Sequence, residues 1–145
     1  MHQLPHSYVV SAQAESESNV MLASDGLESV MSAAPAAFGG PGNLWSPETL
    51  LVAAVADCLI LSFRAIARAS AYPWSELQCS VDGTLDKVDG VLKFSAFTVH
   101  ARLTISADAD EAKGEKLVHK AERSCLITNS LLGESHLTVE IVRSS

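Results

Sequence analysis

No lysine or arginine occurs before Arg64, and over the full 145 residues 10 basic side chains stand against 17 acidic ones, for a net charge of -7. A net-acidic surface repels phosphate, so nucleic acid and anionic membrane are not expected partners. The N-terminus has no basic segment leading into an apolar run, which argues against a signal peptide. The longest apolar stretch, Leu50 to Leu61, is interrupted by Asp57 and followed by Arg64. Its length falls short of the roughly 20 residues a membrane span needs. The expectation is a soluble cytoplasmic protein.

Cysteine is scarce and scattered. Cys58, Cys79 and Cys125 form no CxxC pair, and an odd, widely spaced set is not a secreted disulfide framework. His2 and His6 have i, i+4 spacing, but Pro5 lies between them in a terminal segment that reads as a tail rather than a zinc site. No metal and no cofactor is expected, and any cysteine function concerns thiol reactivity.

What is present suits one compact domain spanning residues 1–145. Hydrophobic residues make up 48% of the chain and charged residues 19%, and a domain of this size buries roughly 70% of its unfolded surface without staples. Ser7–Ala14 and Asn19–Ala23 read as strands, and Glu28–Ala33 as a third after the Asp25-Gly26 turn. Phe38–Asn43 (FGGPGN) is loop. Ser46-Pro47-Glu48 then opens a helix, with a capping hydroxyl, a proline suited to the first turn and an acid at the positive dipole end. Tyr72-Pro73 stops it after about Ala69. Its middle is apolar on every side, which predicts burial against several neighbours.

Leu77–Asp86, a turn at Asp89-Gly90, and the long alternation Val91–Ile105 predict a hairpin. Phe94 falls on one face of the second strand with Leu92, Ala96 and Thr98. Phe97 falls on the other, more apolar face with Val99, Ala101, Leu103 and Ile105. Ala109 to Arg123 reads as a second helix, a shorter helical piece ends at Leu131-Leu132-Gly133, and His136–Val142 alternates as a closing strand. Strands, long helix, strands, helix, strand is an α+β order.

Position alone leaves Cys58 open between a packed small hydrophobe, the common use of a buried cysteine, and a reactive thiol. Cys125 follows Arg123 where the second helix ends, and Cys79 shares a strand face with Leu77 and Val81 and reads as packing. Spacing by itself does not bring Cys58 and Cys125 together.

The stretch FGGPGN-LW-SPETLLVAAVADC resembles the signature of the OsmC/Ohr family: a Gly-rich loop, Pro-Glu-x-Leu-Leu, then a cysteine ten residues after the glutamate. TLDKVDG and the strand after it are similar to that family's middle hairpin. AERSCLITNSL resembles its second cysteine motif, with Leu126 where the family usually has proline. The resemblance runs from Tyr8 to Val142. It implies antiparallel sheets around a long buried central helix, and an intertwined homodimer with active sites at the subunit boundary.

It also implies chemistry. Cys58 would attack a hydroperoxide, organic ones above all, as a thiolate and become a sulfenic acid; Cys125 would condense with it to a disulfide; a dithiol reductant, lipoyl-type or another thiol, would reopen it. Glu48 would hold the arginine that stabilises the thiolate. This chain departs from the pattern there, because the family supplies that arginine from before the long helix. Arg64, Arg68, Arg123 and His119 are the candidate replacements, besides a residue of the partner subunit. Asp57 would raise the thiol's pKa unless it faces away. Phe38, Trp45 and Phe63 suggest an apolar pocket mouth. Two other outcomes fit the same fold: a diverged small-molecule binding protein, and a thiol redox sensor with little peroxidase activity.

Overall fold

The alternations and caps read from the sequence become six strands and three helices in the computed structural model, which describes residues 3–144. His2 lies outside the described residues. The chain divides into two compact units, Met1–Leu50 and Leu51–Ser145.

In the first unit β1 (Ser11–Gln13), β2 (Val20–Ala23) and β3 (Val30–Ser32) form an antiparallel meander, with Leu22 opposite both Ala12 and Val30. A 3-10 turn at Ala36–Phe38 leads into the glycine-rich loop. Gly40 donates its N–H to the Pro35 carbonyl at 3.0 Å, and a Cβ there would overlap the Ala34 carbonyl, so this turn admits only glycine. Helix α1 (Pro47–Ala69) begins as its sequence predicts. The buried Ser46 hydroxyl accepts from the Thr49 N–H at 3.1 Å, while Thr49 Oγ1 accepts from the Ser46 N–H at 2.9 Å, a reciprocal cap. The boundary between the units falls in the first turn of this helix.

The second unit is a three-stranded sheet, β4 (Glu76–Val88), β5 (Val91–Ile105) and β6 (Glu134–Arg143), with β5 in the middle. Asp89 (φ 50°) and Gly90 (φ 80°) turn the β4–β5 hairpin, the left-handed pair that an Asp-Gly turn supplies. Helix α2 (Glu111–Arg123) is capped by Asp110, whose carboxylate accepts from the Lys113 N–H at 3.0 Å. The core joins Val55, Leu59, Phe63 and Ala67 of α1, Phe97, Val99, Ala101, Leu103 and Ile105 of β5, and Leu117, Val118 and Ala121 of α2. Each set follows its element's period, 3.6 for the helices and 2 for the strand.

Several expectations need correction, although the α+β class stands. The closing strand is not antiparallel: β6 runs parallel to β5, with Ala96 beside Glu134 and Ile105 beside Arg143. A crossover through α2 carries the chain back to the same end of the sheet, as parallel pairing requires. The short helical piece, α3, covers Leu126–Asn129 and stops before Leu131, because Ser130 Oγ donates back to the Leu126 carbonyl at 2.8 Å. Phe94 and Phe97 share one face. The register pairs Thr84 with Ala96 and Leu85 with Phe94, so Ser95 has no opposite residue. This bulge turns Phe94 onto Phe97, with ring centroids 5.5 Å apart and planes at 26°.

Helix α1 is also less enclosed within the chain than its composition suggests. Its buried residues form the single stripe Val55, Leu59, Phe63 and Ala67, and Leu61 is 50% exposed. By length and composition alone this 23-residue helix, with a mean hydropathy of 2.1 over its most apolar 18 residues, would cross a membrane, which the shorter run read from the sequence does not convey. Its buried stripe instead packs on the sheet of the second unit.

Candidate active site

Helix α1 carries Cys58 on the flank of its buried stripe, next to Leu59 and one turn before Ser62. Helix α2 presents Gly114, Val118 and Ala121 inward, and this face leads to the buried Cys125, where the chain leaves the helix. Cys125 is extended (φ -67°, ψ 110°) and serves as the cap residue of α3. The amides just after it, on Leu126 and Ile127, are first-turn amides with no partner inside their own helix.

Those amides point at the other cysteine. Burial raises the pKa of Cys58, but the Ile127 N–H, the Cys125 thiol, the Ser62 hydroxyl and the Leu126 N–H all hydrogen-bond to its sulfur, and together they hold it below the ordinary thiol value. The Ser62 oxygen lies 3.8 Å from the sulfur. Cys125 shifts the other way. Burial first, and then the neighbouring Cys58, raise it against the hydrogen bonds from Thr128. The two cysteines are therefore close enough for each to act on the other's acidity. Both cysteines are free thiols in this structure.

The groups that act on Cys58 are neutral. Arg64, Arg68 and Arg123 are exposed, and His119 lies 3.9 Å from Glu115 on its own helix, so none of the four candidate cations is among them. Asp57 is exposed and is not among them either. Leu126 matters in this context. A proline at this position has no N–H, and leucine supplies one of the four donors. The sequence marks the substitution, but only the fold shows where its amide points.

The remaining residues singled out from the sequence are dispersed. Cys79 packs at the edge of the core, where burial first and then the charge of Cys125 push its pKa to about 11. Phe63 is fully buried with its ring edge-on to Trp74 at 5.2 Å, so it is a core residue rather than a pocket lining. Trp45 is 52% exposed. Phe38 and Glu48 do line one apolar groove of about 490 Å³, within the first unit, together with Leu22, Pro35 and Leu50. Glu48 Oε1 is buried there without a hydrogen-bond partner, and no arginine or lysine lies in that unit. Among the described residues no three His, Cys, Asp or Glu side chains cluster as metal ligands would. Ser62, Ile127, Thr128 and Ser135 were not legible as site residues, since serine, threonine and backbone amides carry no motif of their own.

Comparison with known proteins agrees with this architecture. The curated relative YmaD of Bacillus subtilis (strain 168), an uncharacterized protein, is 29% identical over 109 residues, 73% of each chain. Among solved structures, an OsmC-like protein of unknown function from Vibrio cholerae superposes with a TM-score of 0.81 at 22% identity, covering 94% of this chain and 99% of that one. An organic hydroperoxide resistance protein OsmC from Legionella pneumophila gives 0.75 at 21% identity, with 97% and 99% covered. An organic hydroperoxide resistance protein from Elizabethkingia anophelis gives 0.77 at 16% identity, with 99% and 100% covered. A family model described as OsmC-like protein matches residues 40–141, a stretch that holds most of the glycine-rich loop, all of α1, both cysteine segments and most of β6. The chain belongs to the OsmC-like family.

Proposed function

We propose that this protein reduces organic hydroperoxides, with Cys58 as the attacking thiolate and Cys125 as the resolving thiol. The reading is carried by two neighbouring thiols of opposite acidity, one held below and the other above the ordinary value. The thiolate is the nucleophile in such chemistry, and its partner must stay protonated until its turn. Cys58 sulfur attacks the peroxide oxygen, the O–O bond breaks, and the alcohol leaves with a proton while Cys58 becomes a sulfenic acid. Cys125 sulfur then displaces the hydroxyl, which leaves as water, and the two sulfurs are joined. A dithiol, lipoyl-type or another thiol, reduces the disulfide and is itself oxidised.

Two solved relatives bear names of organic hydroperoxide resistance, and that substrate class enters here through them. The reading includes a cytoplasmic homodimer. The apolar faces that α1 leaves uncovered within one chain, including Leu61, favour a second copy. In this reading Glu48 takes its cation from the second subunit, since its own unit has no arginine or lysine.

The test is consumption of cumene hydroperoxide in the presence of dihydrolipoamide. Wild type should turn over, Cys58→Ser should fall to background, and Cys125→Ser should give one turnover and stop. Equal background consumption in wild type and Cys58→Ser removes the enzymatic reading. The partnerless Glu48 oxygen in an apolar groove favours one alternative, a small-molecule binding protein on the same fold. An apolar ligand that survives purification, seen by non-denaturing mass spectrometry, would support it.

A further inference from the structure

Cys125 also borders a small space that the reaction above does not use. This narrow cleft of about 10 Å³ is lined by Val55, Leu59, Val99, Glu122, Thr128 and Ser135. That volume is about what one water molecule requires. The lining is apolar toward α1 and β5 and polar toward α2, α3 and β6. Ser135 Oγ is buried there with no hydrogen-bond partner, while Thr128 Oγ1 donates to the Cys125 carbonyl at 3.2 Å. A buried hydroxyl without a partner costs about 1–3 kcal/mol, so a polar occupant is favoured at this position.

An open depression of about 490 Å³ lies on the protein surface next to this cavity, lined by Glu122, Arg123, Thr128, Asn129, Gly133 and Ser135. Glu122, Thr128 and Ser135 line both spaces. These three residues border both the space beside Cys125 and the open surface, and Glu122 is the carboxylate among them. Glu122 is half-buried, on the last turn of α2, three residues before the thiol.

We infer that Glu122 is the proton acceptor for the Cys125 thiol when the disulfide forms, working through one water seated between Ser135 and Thr128. The inference rests on Cys125 being the resolving thiol. The buried Cys125 must lose its proton before its sulfur can attack Cys58. The proton passes to the cavity water, which gives its own to the Glu122 carboxylate; the new S–S bond forms as hydroxide leaves Cys58 and takes a proton from solvent to become water. When a dithiol later opens the disulfide, Glu122 returns the proton to the departing Cys125 sulfur, and its outer side exchanges with solvent. The titratable groups facing Cys125 are Cys58 from α1, Cys79 from β4 and Glu122 from α2; β5 and β6 contribute Val99 and Ser135. Arg123 faces the outer depression with Glu122.

Ellman's reagent isolates this step without peroxide. In a Cys79→Ser background, Cys58 releases one thionitrobenzoate as it forms a mixed disulfide. Attack by Cys125 releases a second and leaves the Cys58–Cys125 bond. Glu122→Gln should slow the second release relative to the first by at least about tenfold at pH 7, the low end of general-base effects. The deficit should shrink toward pH 10 as hydroxide takes the proton directly, and Glu122→Asp should recover part of the rate. Second release in the Gln variant that follows wild type at every pH overturns the inference, as does an equal slowing of both releases, which marks a structural role. A second release that depends on Glu122 in a protein without hydroperoxide turnover would retire the peroxidase reading and leave this one standing. Absence of a second release in wild type would end both.

Discussion

Cys58 on α1 and Cys79 on β4 are both partly buried thiols of the same unit, yet their acidities move in opposite directions. Burial raises both. Cys58 is surrounded by two backbone amides, a thiol and a hydroxyl that donate to its sulfur, whereas Cys79 has the charge of Cys125 added to its desolvation. Exposure therefore says little about which cysteine reacts; the count of donors aimed at the sulfur decides it. Those donors come from the chain break between α2 and α3, where a helix start leaves amides unpaired. A family that ordinarily uses an arginine is represented here by a site whose donors are neutral and belong largely to the backbone.

The strongest way to break this contrast is differential alkylation. At pH 7 a thiol with a pKa of about 11 is almost wholly protonated, so iodoacetamide should label Cys58 at least about a hundredfold faster than Cys79, read by peptide mass spectrometry. Equal labelling would show that burial, and not donors, governs both. Stability against pH sharpens the Cys79 side. Its folded-state pKa lies above the ordinary 9.0, so the stability it contributes is complete below pH 9 and is lost as pH rises through about 11. Discounted for the partial exposure of the thiol, the difference between wild type and Cys79→Val should change by about 1 kcal/mol across that window in denaturant titrations.

Smaller effects test individual donors. Ser62→Ala removes the hydroxyl 3.8 Å from the Cys58 sulfur and should slow alkylation of Cys58 at pH 7 by about threefold. Leu126→Pro removes an N–H at a first-turn position that tolerates proline, and should slow the same reaction about twofold with little change in thermal midpoint. If neither variant alters the rate, the thiolate is stabilised by something other than these neutral groups.

Much of the architecture was legible from residue pattern. The cap at Ser46, the helix to Ala69, the Asp89-Gly90 turn and the α2 boundaries follow from local chemistry, since each depends on residues within a turn or two. The direction of β6 and the face of Phe94 were not legible, because one depends on which end of the sheet a crossover reaches and the other on a single unpaired residue, Ser95. For the candidate site, the sequence singled out Cys58 and Cys125 by resemblance to a family signature. It pointed to arginines, a histidine or a partner-subunit residue as their support; within one chain the groups that lower the Cys58 pKa are two amides, a thiol and a hydroxyl.

The sequence by itself determined where α1 begins and ends, which residues turn the hairpin, and that strong bases are missing from the N-terminal portion, because these are properties of neighbouring residues. Only the tertiary structure decided which groups act on the Cys58 sulfur, which way the closing strand runs, and that Glu122 lines both the space beside Cys125 and the surface depression. Those are relations between residues far apart in the chain. Amides and hydroxyls occur throughout any sequence, so the composition does not distinguish the few that folding aims at a sulfur.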